Sequence, residues 1–183
     1  MVYFISGGCK NGKSMLAQNI AKEMAESKGV PLYYVATMIP VDEEDRARIK
    51  RHIAERDGWG FKTLEEGRNP AALLNRQDVD LNGVFLVDSV TALLSNEMFP
   101  YGEPMNLNAA EKLKPVLLEF AEAVNGAVFV SDYIYSDADR FDEYTEKYRQ
   151  GLAYLDKALA NVADEVIEVS YGINYYYKEG CVK

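Results

Sequence analysis

Apolar positions along this chain follow two different periods. Short unbroken apolar runs, as a strand covered on both faces requires, occur at Val2-Tyr3-Phe4-Ile5-Ser6, Pro31-Leu32-Tyr33-Tyr34-Val35-Ala36, Gly83-Val84-Phe85-Leu86-Val87-Asp88 and Ala127-Val128-Phe129-Val130-Ser131. Between them, apolar residues recur at helical spacing. Met15, Leu16, Ile20, Ala21, Met24 and Ala25 predict a helix from Lys13 to about Lys28, ended by Gly29 and Pro31. Further helices are expected over Asp42 to Arg56, Val90 to Phe99 and Asn108 to Val124, with a turn-rich stretch from Pro100 to Pro104. Asp137 to Ala160 reads as one long polar helix or two broken ones. Glu165 to Val169 and Asn174 to Lys178 read as a closing strand pair around Gly172. Alternating strands and helices predict an α/β fold, a mostly parallel sheet flanked by helices, in one domain over residues 1–183.

The first strand runs directly into Gly7-Gly8-Cys9-Lys10-Asn11-Gly12-Lys13-Ser14, which satisfies the phosphate-loop pattern G-x-x-x-x-G-K-S/T. Strand, glycine-bearing loop and helix in that order are the context the motif needs. Gly7 and Gly12 permit backbone angles that let successive N–H groups face phosphate oxygens, and the new helix adds its positive end. Lys13 would reach the β and γ phosphates, and the Ser14 hydroxyl would ligate Mg²⁺. Cys9 supplies a small side chain and a backbone N–H. Asp88 closes an apolar strand, where it would serve as the second Mg²⁺ residue or, alternatively, cap the helix that follows.

Charge and length narrow the class. The 183 residues, 48% hydrophobic, suffice for a full core, while a net charge of −9 argues against binding nucleic acid through its phosphates. Cys9 and Cys181 lie far apart in sequence without metal-ligand spacing, so reduced thiols in a cytoplasmic protein are expected. Val2 to Ile5 is too short for a signal segment, and no apolar stretch approaches a membrane span.

His52 is the only histidine. It ends a run that changes from acidic, Asp42-Glu43-Glu44-Asp45, to basic, Arg46 to Arg51, which is the charge order a helix dipole favours. On that helix Arg48 and His52 are four residues apart and share a face, so the guanidinium would favour the neutral ring. A neutral imidazole is the nucleophile that attack on an α-phosphate needs. A solvated surface histidine is the alternative.

Taken together, these segments resemble the bifunctional adenosylcobinamide kinase/adenosylcobinamide-phosphate guanylyltransferase family of cobalamin biosynthesis. The resemblance is carried by Gly7-Gly8 through Lys13-Ser14, Tyr34-Val35-Ala36-Thr37, Arg48-Ile49-Lys50-Arg51-His52 with Arg56 and Trp59, Thr63-Leu64-Glu65-Glu66, Leu86-Val87-Asp88-Ser89 with Thr91, and Leu94-Ser95-Asn96. It implies a RecA-like P-loop NTPase that assembles as a trimer and acts on a corrinoid. One activity phosphorylates adenosylcobinamide with ATP or GTP. The other moves GMP from GTP to the resulting phosphate through a guanylylated His52. The resemblance also implies that Ala36, Thr37, Met38, Ile53, Ala54, Glu55, Arg56, Glu65 and Asp88 border the guanine nucleotide. The chain departs from the family's pattern at Ser131-Asp132-Tyr133-Ile134-Tyr135, where Asn-Glu-Val-Gly is usual, and at Tyr148-Arg149-Gln150 and Asp156-Lys157.

Of thirteen tyrosines, Tyr133, Tyr135, Tyr144, Tyr148 and Tyr154 cluster and would form a wall for a flat ligand or a neighbouring subunit, or else pack helix against sheet. The acidic stretch from Ser136 to Glu143 lacks the glycine and final glutamate of a calcium loop and reads as a solvated helix start. A P-loop small-molecule kinase without the covalent histidine, and a nucleotide-binding protein without catalysis, remain as other functional classes.

Overall fold

The computed structural model describes residues 1–135 and 139–178, without the side chain of Glu55. Cys181 and the Ser136, Asp137 and Ala138 part of the acidic stretch lie outside the described residues. Strands β1 (Val2–Gly7), β2 (Leu32–Ala36), β3 (Lys62–Glu65), β4 (Val84–Asp88), β5 (Gly126–Asp132), β6 (Glu165–Ser170) and β7 (Ile173–Lys178) form one sheet in the order β3-β2-β4-β5-β1-β6-β7. Every pairing is parallel except β6 with β7. The helices are α1 (Lys13–Lys28), α2 (Glu43–Glu55), α3 (Val90–Met98), α4 (Ala109–Ala123) and α5 (Glu143–Val162), with a 3-10 turn at Pro70–Asn75.

Each central strand is buried on both faces, which is why the apolar runs show no alternation. Phe4, Val35, Phe85, Val87 and Phe129 point to one side, where α3, α4 and α5 supply Leu93, Leu117, Phe120 and Leu155. Ile5, Tyr34, Leu86, Val128 and Val130 point to the other, against Ala17, Ala21 and Met24 of α1. Aromatic rings tie the larger layer together: Phe120 stands edge-on to Phe85 at 5.4 Å and to Phe129 at 6.5 Å.

Most expected boundaries fall within a residue or two of the observed ones. The last long helix is a single element beginning at Glu143, not near Asp137, because Asp142 accepts the Tyr144 and Thr145 N–H groups and so sets its start. The closing pair is a hairpin whose turn, Tyr171-Gly172, has φ of 52° and 76°, a combination that favours glycine at the second position. Strand β3 and the 3-10 turn have no counterpart in the sequence expectations. In β3 only Leu64 is buried, flanked by exposed Lys62, Thr63 and Glu65, so neither an apolar run nor a clear alternation marks it.

Phe120→Ala should lower stability by about 3–5 kcal/mol, since the fully buried ring it removes packs edge-on against two others. Urea unfolding monitored by circular dichroism checks this, with Met15→Ala, at an exposed position, expected to change stability by less than about 0.5 kcal/mol.

Candidate functional site: a nucleotide cavity at the strand ends

The carboxyl ends of β1, β2, β3 and β4 open on one side of the sheet, and the chain turns there into α1, α2 and α3. At the first turn Gly12 takes φ 95° and Lys10 φ 57°, so the loop curls with two left-handed residues before α1 begins. Gly7 does not need a left-handed angle. Its requirement is room: a Cβ there would collide with the Val169 carbonyl and the Asn11 amide, which are themselves hydrogen-bonded to each other.

The adjoining cavity has a volume of about 520 Å³ and brings together Lys13, Ser14, Ala36, Thr37, Met38, Glu65, Asp88, His52 and Arg56, all expected site residues. Arg46, Arg48 and Lys50 of α2 line it too. Arg48 and His52 therefore do share the helix face turned toward the cavity. Apart from its C-terminal cap, α2 has no buried residue among its described side chains, and Asp42 fixes its start by accepting the Asp45 N–H at 2.8 Å. Its role is to present polar groups to the cavity rather than to fill the core. Gly8, Cys9, Lys10 and Asn11 instead border a second depression with Tyr133 and the β6–β7 turn, and Cys9 is exposed. Ile53 and Ala54 are exposed and do not line the cavity; the Glu55 side chain lies outside the described residues.

Thr37 is fully buried and works structurally at the cavity floor. Its hydroxyl donates to the Ser89 carbonyl at 3.0 Å and accepts the Ser89 N–H at 2.6 Å, locking the end of β2 to the end of β4. Asn96 donates to the Thr37 and Gly67 carbonyls at 2.8 and 2.7 Å, which ties both loops to α3. The capping alternative for Asp88 is corrected here: Ser89 caps α3 by accepting the Ala92 N–H, leaving the Asp88 carboxylate free to face the cavity. The Tyr34 hydroxyl donates to Asp88 at 3.0 Å, and the Arg56 guanidinium lies 3.5 Å above the Tyr34 ring. Asp88 is only half-buried as a residue because one side faces the cavity, but its carboxyl lies deep. Burial pushes its pKa up, while the Tyr34 hydroxyl, His52 and Lys13 pull it back.

Asp132 is a cavity acid to which the sequence expectations assign no role. It ends β5, in register with Gly7, and its Oδ1 lies 2.5 Å from the Lys13 ammonium, which also donates to the Gly8 carbonyl at 3.2 Å. The signal available was its place as the acid closing an apolar strand, the same signal that picked out Asp88.

Behind Asp132 sits a buried acid. Asp156 is 2% exposed and accepts the Ser131 and Tyr135 hydroxyls, each at 3.0 Å, on the same oxygen. Burial pushes its carboxyl up to about 7, against the pull of the two hydroxyls. The tyrosine cluster accordingly divides. Tyr135 and Tyr148 pack on the core, whereas Tyr133, Tyr144 and Tyr154 are exposed, and Tyr154 contacts Lys114 of α4.

A parallel sheet with this strand order, a phosphate loop after β1 and a carboxylate closing β4 define a RecA-like P-loop NTPase fold. Two solved structures share it: the ATPase domain of G40P (TM-score 0.52, 12% identity, covering 91% of this chain and 68% of that one) and the KaiC-like protein PH0186 from Pyrococcus horikoshii OT3 (TM-score 0.52, 15% identity, 97% and 78%). More specifically, residues 3–176 match the model of the cobinamide kinase / cobinamide phosphate guanyltransferase family, and the chain belongs to that family of bifunctional enzymes. It is 30% identical over 163 residues, 88% of each chain, to the bifunctional adenosylcobalamin biosynthesis protein CobP of Pseudomonas aeruginosa. Over 103 residues, 56% of this chain and 52% of the other, it is also 30% identical to the bifunctional adenosylcobalamin biosynthesis protein CobU of Escherichia coli K12.

The buried acid gives a test that needs no substrate. An unfolded Asp156 ionises near 3.8 and the folded one near 7, so between those values the folded chain holds the extra proton and stability falls as pH rises. Asp156→Asn removes that loss while keeping an acceptor for both hydroxyls. Its stability relative to wild type should rise by on the order of 2–4 kcal/mol between about pH 4 and about pH 8, read from urea melts. A difference that stays flat across that range would show that Asp156 does not titrate there.

Proposed function

We propose that this chain phosphorylates adenosylcobinamide with ATP or GTP and then transfers GMP from GTP to the corrinoid phosphate, with His52 as the transient carrier. The observation that carries the reading is that one cavity holds both the phosphate-loop lysine and the chain's lone histidine. A triphosphate with its β and γ phosphates on Lys13 and the loop amides would extend its α-phosphate toward α2. The His52 imidazole would attack that phosphorus, forming an N–P bond as the α–β bridging bond breaks and pyrophosphate leaves. Arg46, Arg48, Lys50 and Arg56 supply positive charge where the phosphates would lie, although the chain as a whole carries −9. Attack on that N–P bond by the corrinoid phosphate would release the histidine.

Mg²⁺ fits the donors present. The Ser14 hydroxyl and the Asp88 carboxylate are hard oxygen ligands in the same cavity, and a cation would offset the cost of ionising a buried carboxylate. When bound, it would neutralise charge on the β and γ phosphates. A cytoplasmic setting and a homo-oligomer, a trimer by family resemblance, complete the proposal. No described helix is long and apolar enough to cross a membrane. The exposed Ile173, Tyr175, Tyr176 and Tyr177 of edge strand β7 support an association between copies.

Incubation with α-labelled GTP and Mg²⁺, followed by denaturation and intact-mass measurement, tests the covalent step. Wild type should carry an acid-labile GMP and His52→Ala should carry none. GTP binding without any adduct on wild type would remove the covalent mechanism and leave a P-loop kinase.

A further inference from the structure

Two carboxylates reach the cavity from neighbouring strand ends, and they are held differently. Asp88 accepts a hydroxyl from Tyr34, a partner that a nucleotide on the loop would leave in place. Asp132 is held by Lys13, the cation to which a triphosphate's terminal phosphates would be drawn. A nucleotide that engages Lys13 therefore leaves Asp132 beside the terminal phosphate with its cation drawn away.

The backbone around Asp132 fixes it there. Its N–H donates to the Thr91 hydroxyl at 2.8 Å, the next N–H, of Tyr133, donates to the Gly7 carbonyl at 3.0 Å, and Ser131 before it is anchored to Asp156. The Asp132 side chain is 30% exposed, against 9% for Lys13, so it is the member of the pair that a second substrate can reach. Just beyond it Tyr133 and Tyr135 meet edge to face at 4.7 Å, and the exposed Tyr133 offers an apolar surface to a bulky acceptor.

We propose that Asp132 is the general base of the phosphoryl-transfer half-reaction, an assignment that rests on the kinase reading above. Its carboxylate takes the proton from the acceptor hydroxyl as that oxygen bonds to the γ phosphorus. The bond from the γ phosphorus to the β–γ bridging oxygen breaks, its electron pair stays on that oxygen, and a nucleoside diphosphate leaves. The proton on Asp132 is then lost to solvent, which restores the carboxylate and its pairing with Lys13.

The same geometry gives the carboxylate opposite effects on binding and on turnover. In the free protein it competes with the triphosphate for Lys13 and repels its charge, so removing it should not weaken nucleotide binding. Asp132→Asn should bind ATP as tightly as wild type or more tightly, while kcat for phosphorylating adenosylcobinamide falls about 10²- to 10⁴-fold. Asp132→Glu, which keeps a carboxylate, should recover most of that loss. The measurements are ATP affinity by titration calorimetry and corrinoid phosphate formation by mass spectrometry. An Asp132→Asn protein with kcat within about threefold of wild type would overturn the assignment. A variant in which affinity and kcat collapse together would overturn it as well, by making Asp132 a support for the loop. Wild-type protein that binds ATP but never phosphorylates the corrinoid would instead remove the kinase reading, and the base with it.

Discussion

A parallel strand buried on both faces has no side from which chemistry can be done; only its ends are open. That constraint governs this molecule. β1, β4 and β5 lie inside the sheet with helices on both faces, so polar functional groups collect where these strands and their neighbours stop. Gly7, Ala36, Glu65, Asp88 and Asp132 are each the last residue of a strand. The register between strands then sets the site's dimensions. Gly7 lies opposite Asp132, and Asp88 opposite both Ala36 and Val130, so the phosphate loop and two acids fall side by side before any side-chain contact is considered.

Electrostatics follows from that crowding. Two carboxylates at adjacent strand ends repel, and each is compensated separately, Asp88 mainly by the Tyr34 hydroxyl and Asp132 by Lys13. The basic residues of α2 face the same space from a helix whose middle contributes nothing to the core. An acidic protein thus gathers Lys13, Arg46, Arg48, Lys50 and Arg56 around one cavity, facing the carboxylates of Glu65, Glu66, Asp88 and Asp132. Its net charge describes solubility and long-range attraction rather than what this site holds.

The parts legible in the sequence were those where local chemistry and burial agree. Long apolar runs marked the central strands, the loop signature placed Lys13 and Ser14, and the acidic-to-basic order of α2 together with its four-residue spacing put Arg48 and His52 on one face. The parts that were hidden depend on partners distant in the chain. β3 becomes a strand by pairing with β2 around a single buried Leu64. Gly7 is required by a carbonyl some 160 residues away in sequence, not by its own backbone angle. The cap position that Asp88 offers as its alternative role is taken by Ser89, through its contact with the Ala92 N–H. Asp132 closes an apolar run as Asp88 does, but its place beside Lys13 depends on the pairing of β5 with β1. Ile53 and Ala54, inferred by resemblance to border the nucleotide, lie on the exposed side of α2.

What joins fold to function is that a single nucleotide should span the cavity from the loop to α2. A crystal structure with α,β-methylene GTP, which cannot release pyrophosphate, tests this directly. The expected result has the β and γ phosphates on Lys13 and the loop amides, with the α phosphorus about 3–4 Å from the His52 imidazole. A nucleotide seated on the loop with its α-phosphate turned away from α2, and His52 left in solvent, would contradict it.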